Sequence, residues 1–327
     1  MTPVVGHTAA QGAFLAAMRG GALHHAWLLA GPEGVGKATF ARAAALRLLA
    51  EAGGGPALPA GFDVPAGHPA RALVEAGSHP DLRVLTRLTK VSDTGAETVA
   101  RSITIDQVRG LLPMFATTPS IGARRVVIID AIDDLERAGA NALLKSLEEP
   151  PAGTVFLLVS HAPGRLLPTI RSRCRLLRFS PLDEAQARQV VRAALPEANE
   201  EEVAATARAG EGSPGRALRY AGLDVAGLDQ AIERLMRADD PSNAGRVRLA
   251  QSLSGKAAQP RYEAFLDRAP AAIAAAARTR SGDALRPALD AHREARELAG
   301  SALGLSLDPQ ATVFEMAGIL ARLASPA

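Results

Sequence analysis

The sequence predicts an α/β domain with a parallel sheet, followed by all-α regions. Strand-like and helix-like segments alternate through the first half of the 327 residues. Such alternation favours parallel strands joined by right-handed helical crossovers. Two of the strand-like segments are continuous apolar runs, as is typical of strands covered on both faces. Beyond residue 180 the segments have helical periodicity and no strand pattern.

The elements of the first half are predicted from periodicity and from the residues that flank them. Strong helix formers follow Ala38, and Pro150 and Pro151 end a later helix. Glycine and proline are frequent from Gly53 onward, which indicates a break. In chain order, we predict a strand at 26–30, a helix from Ala38, the break from Gly53, a strand from Asp81, a short strand from Ser102 that leads into a helix, a buried strand from Arg124, a helix from Arg137, and a buried strand from Thr154.

The change of character along the chain predicts three domains. An α/β domain is expected at residues 1–180 and a small helical module at residues 181–223. A Gly-Ser-Pro-Gly turn separates two short helices within this module. The remainder, residues 224–327, is predicted to be a helical domain because every segment in it is compatible with a helix.

Composition excludes several classes of protein. The net charge of +3 permits nucleic-acid binding without indicating it. The chain has eight Phe, one Trp and two Tyr, too few for the base-stacking surfaces of single-strand binders. Its one cysteine, Cys174, excludes an intrachain disulfide and a multi-cysteine zinc site. No apolar run is long enough to span a membrane and no signal peptide is apparent, so we expect a cytoplasmic protein without membrane contact.

A glycine-rich segment between the first strand and the following helix predicts a phosphate-binding loop. Residues Gly31–Lys37 read GPEGVGK and fit the pattern G-x-x-x-x-G-K. Glycines such as Gly34 and Gly36 let backbone N–H groups approach phosphates, and the helix that follows adds a favourable dipole. Lys37 would reach the terminal phosphates. The alternative is an ordinary glycine-rich turn.

Two positions lack the oxygen atoms that hydrolysis needs. One directly follows the glycine-rich loop and the other directly follows the strand from Arg124. The loop pattern ends in Ser or Thr, whose hydroxyl binds magnesium, but here Ala38 follows the lysine and Thr39 comes one residue too late. Asp130 ends the strand and would face the metal. The next residue, Ala131, cannot activate water, and loss of a general base costs ~10²–10⁴ in rate. The sequence therefore predicts a nucleotide fold without useful hydrolysis.

Acidic and basic side chains near these strands have alternative interpretations. Asp133 and Asp134 are interpreted as a helix cap and a first-turn charge in preference to catalytic groups. Four arginines lie within residues 171–178, and Arg173 is among them. One alternative is an ion pair with Glu148 or Glu149. The other is an arginine finger that enters the nucleotide site of a neighbouring subunit.

These motifs resemble the delta-prime family of bacterial DNA polymerase III clamp-loader subunits, within the AAA+ group. The resemblance covers much of the first 180 residues, and NALLKSLEEPP together with TIRSRC is its most specific part. The matching stretches are HHAWLLAGPEGVGKAT, GSHPDL, VVIIDAIDDLERAGANALLKSLEEPP and FLLVSHAPGRLLPTIRSRCRLLRF.

The resemblance implies a RecA-like AAA+ domain at residues 1–180, a helical lid at 181–223 and a helical collar at 224–327 that takes part in oligomerisation. Its partners would be the gamma/tau motor and delta subunits in a hetero-pentameric ring, and, through that complex, the sliding clamp and primer-template DNA. The chain would be a largely non-hydrolysing stator of a DNA polymerase, that is nucleotidyltransferase, complex, and Arg173 would be the finger that acts in trans. A catalytically active motor ATPase is the alternative.

The resemblance also implies a degenerate nucleotide site. No cofactor is required at this site, and ATP or ADP bound without hydrolysis stays open. We expect no metal. The residues that would form the site are Gly31, Gly34, Gly36, Lys37, Thr39 and Asp130.

Two departures from the family pattern bear on function. Many relatives carry a four-cysteine zinc module in a stretch that corresponds to residues 51–76, where this chain has no cysteine, so zinc is expected to be absent. Motor relatives carry a sensor-2 arginine at a position that Gly215 occupies here, with Arg216 one residue later. A sensor-2 role for Arg216 is left open.

Overall fold

The computed structural model describes residues 2–21, 23–91, 97–237 and 242–324. The chain divides into two compact units, the first ending at Leu218 and the second starting at Arg219. The helices that begin in the first unit are α1 (Thr8–Arg19), α2 (Lys37–Ala52), α3 (Pro69–Glu75), α4 (Ile105–Arg109), α5 (Leu112–Phe115), α6 (Arg137–Glu148), α7 (Pro168–Arg171), α8 (Glu184–Ala194), α9 (Glu200–Ala209) and α10 (Pro214–Tyr220). The strands are β1 (Ala26–Ala30), β2 (Leu82–Leu85), β3 (Thr89–Val91), β4 (Glu97–Val99), β5 (Arg125–Asp130), β6 (Thr154–Ser160) and β7 (Arg175–Arg178).

Five strands form a parallel sheet in the order β2-β5-β6-β1-β7. In its centre, β6 pairs with β5 on one side and with β1 on the other. Because all five strands run in the same direction, the last residues of β1, β5 and β6, which are Ala30, Asp130 and Ser160, lie at one edge. The predicted α/β-plus-α fold with a RecA-like parallel sheet is confirmed.

Both faces of the sheet are covered, which explains the continuous apolar runs of its central strands. One face packs against α1 and α2, where the ring of Phe14 contacts the rings of both Trp27 and Phe40. The other face packs against α4 and α6 through Val108 and Leu143, for example. Because both faces of the sheet are buried, the ends of its strands are held in place. The candidate site is formed by residues at these strand ends.

Several elements differ from the sequence-based expectation. The strand predicted from Ser102 is reduced to a single bridge between Ile103 and Leu135, because residue 104 already caps α4. The sequence did not predict α1, β7 or the antiparallel pair of β3 and β4. These elements are short or lack clear periodicity, and such segments are the hardest to assign from sequence.

Residues 181–218 carry three helices and a small apolar cluster of their own. Asp183 and Asn199 begin α8 and α9 with capping boxes. Val191 and Val203 meet in the cluster, together with Ala217 of α10. These residues belong to the first compact unit. The domain boundaries at 180 and 223 stay predictions.

The second unit is helical throughout its described residues. Its interior includes Phe265, Ile273 and Met316. None of the described helices of the chain is long and apolar enough to cross a membrane. The helices of this unit are α11 (Val225–Arg237), α12 (Ala244–Ser252), α13 (Gln259–Arg278), α14 (Leu285–Leu305) and α15 (Pro309–Ala321).

Candidate nucleotide-binding cleft and surface arginine

The glycine-rich loop connects β1 to α2 and leads directly into the helix. Gly36 precedes the first residue of α2 with φ of +105°, a backbone conformation that residues with a side chain rarely adopt. The loop thus turns sharply and directs the N-terminus of α2 toward the sheet edge. This is the arrangement that phosphate binding by backbone N–H groups requires.

Lys37 is buried at the base of the loop, with only 2% of its surface exposed. Its Nζ donates hydrogen bonds to the carbonyl oxygens of Gly31 at 2.7 Å and Pro32 at 2.5 Å. Burial lowers the pKa of Lys37 to about 8, although Glu33 and Asp130 act to raise it. A phosphate group would replace the loop carbonyls as the partner of this ammonium group and would favour its charged form.

The loop and the sheet edge border a cleft of about 760 Å³. Residues 33–39 and Asp130 line one part of it, and Val4, Leu182 and Leu218 contribute apolar side chains to the rest. Five of the predicted site residues, Gly34, Gly36, Lys37, Thr39 and Asp130, line this cleft. Gly31 takes part through its carbonyl group, which accepts the bond from Lys37.

The N-terminal segment contributes to this cleft, which the sequence did not predict. Val4 and Val5 line the cleft, and the Nε2 atom of His7 lies 2.8 Å from the carbonyl oxygen of Val35 in the loop. Partial burial lowers the pKa of His7. The pair of valines before Gly6 was the available signal, since two exposed apolar side chains near a terminus need a surface to cover them.

The end of β5 keeps Asp130 but lacks a residue that could activate water directly after it. Ala131 is buried, with 3% of its surface exposed, and Ala38 contributes only a methyl group to the cleft. The carboxylate of Asp133 accepts hydrogen bonds from Ser160 Oγ at 3.0 Å, from the His161 N–H at 2.7 Å and from the Ala162 N–H at 3.1 Å. Asp133 therefore joins the end of β5 to the end of β6.

The interpretation of the two aspartates as a helix cap and a first-turn charge is wrong for the cap and confirmed for the first-turn position. They lie in a short 3₁₀ turn, Ile132–Asp134, and no side chain caps this turn or α6. Asp134 pairs with Nε of Arg87 at 3.2 Å, and burial raises its pKa. Both carboxylates serve tertiary contacts between strand ends and neighbouring loops.

The start of α10 packs directly on the glycine-rich loop. The Gly215 N–H donates to the Gly34 carbonyl oxygen at 2.8 Å. A Cβ atom on Gly215 would lie 2.9 Å from Gly34 Cα, closer than real Cβ atoms approach backbone. Arg216 turns away, because its guanidinium donates to the Gly210 carbonyl oxygen and pairs with Glu211, both at 3.0 Å.

Arg173 follows α7 and lies at the surface, with 34% of its side chain exposed. One terminal nitrogen pairs with Glu148 Oε1 at 2.7 Å and the other donates to the Thr169 carbonyl oxygen at 3.0 Å. The intrachain ion pair is thus present. An exposed pair of this kind contributes only about 0–1 kcal/mol, so another anion can replace Glu148 at small cost. Action in trans stays a prediction.

Two arginines, the buried Arg47 and the partly buried Arg71, hold the cysteine-free stretch at residues 51–76 in place. Arg47 donates to the carbonyl oxygens of Pro59 at 2.6 Å and Asp63 at 3.1 Å, and Arg71 donates to that of Val64 at 2.7 Å. Within the ranges that the structure describes, no group of His, Cys, Asp and Glu side chains is arranged to hold a metal ion. Arginine–carbonyl contacts thus order this stretch.

Comparison with known proteins identifies the family. A family model described as DNA polymerase III, delta subunit, matches residues 6–183, which is more than half of the chain. The chain belongs to this family. The predicted resemblance to delta-prime subunits is confirmed by two relatives of that name.

Individual relatives from this polymerase match over part of their length. DNA polymerase III subunit delta' of Pseudomonas aeruginosa is 37% identical over 218 residues, 65% of this chain and 62% of the relative. The delta' subunit of Escherichia coli is 37% identical over 151 residues, 45% and 41% of the two chains. The tau subunit of Escherichia coli is 35% identical over 221 residues, 65% of this chain and 31% of tau. The chain therefore spans less than two thirds of the length of these relatives.

Proposed function

We propose that this chain is a clamp-loader subunit of a bacterial DNA polymerase III that acts as a stator. In this role it supplies Arg173 to the ATP site of a neighbouring motor subunit. The observation that carries the proposal is the partly exposed position of Arg173 after α7, in a chain of the delta subunit family. The guanidinium is held by a surface ion pair with Glu148 and by a hydrogen bond to the Thr169 carbonyl oxygen, and a phosphate on another subunit would replace these partly exposed contacts.

The proposed lack of hydrolysis is supported by the chemistry of the cleft. Ala38 and Ala131 offer no oxygen to a magnesium ion or to an attacking water. Asp133, a carboxylate near the cleft, already accepts three hydrogen bonds from the end of β6. Asp130 lines the cleft and would face a metal, but an active motor ATPase, the alternative function, would also need a group that activates water.

The loop side of the cleft fits a nucleotide that is bound without being hydrolysed. A glycine-rich turn, the buried Lys37 and an apolar wall with Val4 and Leu182 match the phosphates and the base of ATP or ADP. Bound nucleotide would supply negative charge to Lys37. The contact between Gly215 and Gly34 would hold α10 against the loop in either case.

The proposed partners are those of a clamp loader. They are the gamma/tau motor subunits and the delta subunit in a ring of five, with the sliding clamp and primer-template DNA reached through the complex. The helices of the second unit would form the collar in that ring. Relatives named delta' and tau support this assignment.

The test is an ATPase assay on reconstituted clamp loader in which only the motor site next to this chain is intact. We expect Arg173→Ala to reduce DNA-stimulated ATPase at least tenfold, since an arginine finger in trans contributes ~10³–10⁵ in rate. Arg171→Ala is the matched control, because Arg171 is an exposed arginine of the same segment. Equal activity of the two variants, in complexes that assemble normally, would reject the finger.

A further inference from the structure

Within the second unit, α11, α12 and α13 border a cleft of about 600 Å³ that the proposed function does not use. Three arginines line it, Arg234 from α11, Arg248 from α12 and Arg261 from α13. Asp224 is the acidic residue among the lining residues that the structure describes. Among the described lining residues, three guanidinium groups and one carboxylate leave an excess of about two positive charges.

The guanidinium groups are incompletely partnered. Arg261 pairs with Asp224 at 3.2 Å, and its Nε is buried without a partner. Arg234 and Arg248 each use only Nε, which donates to a carbonyl oxygen of their own helix at 3.3 Å and 3.4 Å. In the described part of the chain, their terminal nitrogens have no hydrogen-bond or ion-pair partner. Four terminal N–H-bearing nitrogens at one cleft are therefore available to an anion.

The rest of the cleft favours a ligand with a strong negative charge and an apolar part. Leu228, Leu235 and Leu249 contribute apolar side chains, and the cleft volume lies in the range of small-molecule sites. The first turn of α12 also lines the cleft through Ala244 and Gly245, and it contains no acidic residue. Its N–H groups add to the positive potential that the arginines create.

We infer that this cleft binds a phosphoryl group. A phosphate dianion, or two adjacent phosphodiester groups of a strand, matches the excess of about two positive charges better than a single carboxylate does, and phosphate oxygens accept the paired N–H groups of guanidinium. The phosphoryl group can come from a free nucleotide or from the backbone of a DNA strand. This inference does not rest on the proposed function, because none of its residues belongs to the cleft at the glycine-rich loop or to the Arg173 segment.

The experiment uses the full chain with Lys37→Ala, so that the glycine-rich loop does not compete for the probe. The first probe is inorganic pyrophosphate, and its affinity is measured by calorimetry. The test variant is Arg234→Gln/Arg248→Gln, and the matched control is Arg278→Gln/Arg286→Gln, which removes the same charge from exposed positions of the same unit. We expect the test variant to weaken binding by about tenfold or more and the control by less than about twofold.

A second probe separates the sources of the phosphoryl group. A fluorescent single-stranded oligonucleotide that shows the same difference between the variants identifies a DNA strand as a ligand, and pyrophosphate binding alone identifies a free phosphate compound. Equal pyrophosphate affinities of the test and control variants would overturn the inference. So would an arginine-dependent affinity for an acidic peptide in the absence of pyrophosphate binding. Unfolding temperatures of both variants are measured to verify that each variant is folded.

Discussion

On the loop side of the nucleotide cleft, Gly36 and Lys37 keep the geometry that phosphate binding needs, and most of the available contacts come from the backbone. On the strand-end side, Ala131 offers no side-chain oxygen, and Asp133 is committed to hydrogen bonds within the unit. Both sides lie at the carboxyl ends of the strands. Only the loop side, however, carries the full set of groups that its task, phosphate binding, requires.

The difference between the two sides follows from what each contributes to folding. The loop must still connect β1 to α2, and its glycines are needed for the turn itself. Hydrolysis depends on particular side-chain oxygens, whereas the fold at this position needs only the buried methyl group of Ala131. A stator of the proposed kind can therefore lose catalytic groups while it keeps the shape that its neighbours contact.

The strongest test of this comparison is Asp133→Ala. We expect a loss of about 2–4 kcal/mol in the free energy of unfolding, because the buried Ser160 hydroxyl and two backbone N–H groups lose their acceptor. Denaturant unfolding of the purified chain measures this loss. Asp134→Ala is the control from the same turn and should cost less than about 1 kcal/mol, since its pair with Arg87 is partly exposed.

The outcome for Asp133 also bears on the alternative of an active motor. If Asp133→Ala leaves stability unchanged and lowers a measurable ATPase of the isolated chain, the residue is catalytic. The assignment of the strand-end side as purely structural would then be wrong.

A second test concerns the contact between α10 and the loop. Gly215→Arg introduces an arginine at the position where motor relatives have one, but its Cβ would lie 2.9 Å from Gly34 Cα. We expect it to destabilise the chain by about 1–3 kcal/mol through steric overlap and to produce no ATPase. Thermal unfolding measures the first effect. Gly164→Arg is the control, because no atom lies within 4 Å of a Cβ at Gly164. A fully stable Gly215→Arg variant would contradict the described packing.

The sequence predicts the parallel sheet and the loop because both depend on local patterns. Apolar runs specify β5 and β6, and the spacing of Gly31, Gly36 and Lys37 specifies the loop between a strand and a helix. The structure brings five of the predicted site residues into one cleft. These residues could be predicted from sequence motifs because the carboxyl ends of parallel strands lie side by side along one edge of the sheet.

Other features could not be predicted because they depend on contacts distant in sequence. The three donors to Asp133 follow it by 27 to 29 residues, and His7 contacts Val35 across 28 residues. The tight packing of Gly215 on Gly34 does not affect the hydrophobic periodicity of the sequence and so could not be predicted from it. The pairing of Arg173 with Glu148 was one of two alternatives, and an ion pair at a surface cannot be chosen from charge pattern alone.

The smallest expected effect is the pH dependence of nucleotide binding on the loop side. Burial lowers the pKa of Lys37 to about 8 in the free chain, and a bound diphosphate raises it again. Above pH 8 the free chain has mostly neutral Lys37, so the lysine must take up a proton when the nucleotide binds, and this uptake weakens the binding as the pH rises. We expect ADP affinity to fall about tenfold between pH 7.5 and pH 9.5, as measured by calorimetry. His7 and His161, whose pKa values are lowered by burial, stay neutral over this range. Lys37→Met should bind weakly and without this pH dependence. Tight binding by wild type that is equal at both pH values would show that Lys37 is not the group that meets the phosphates.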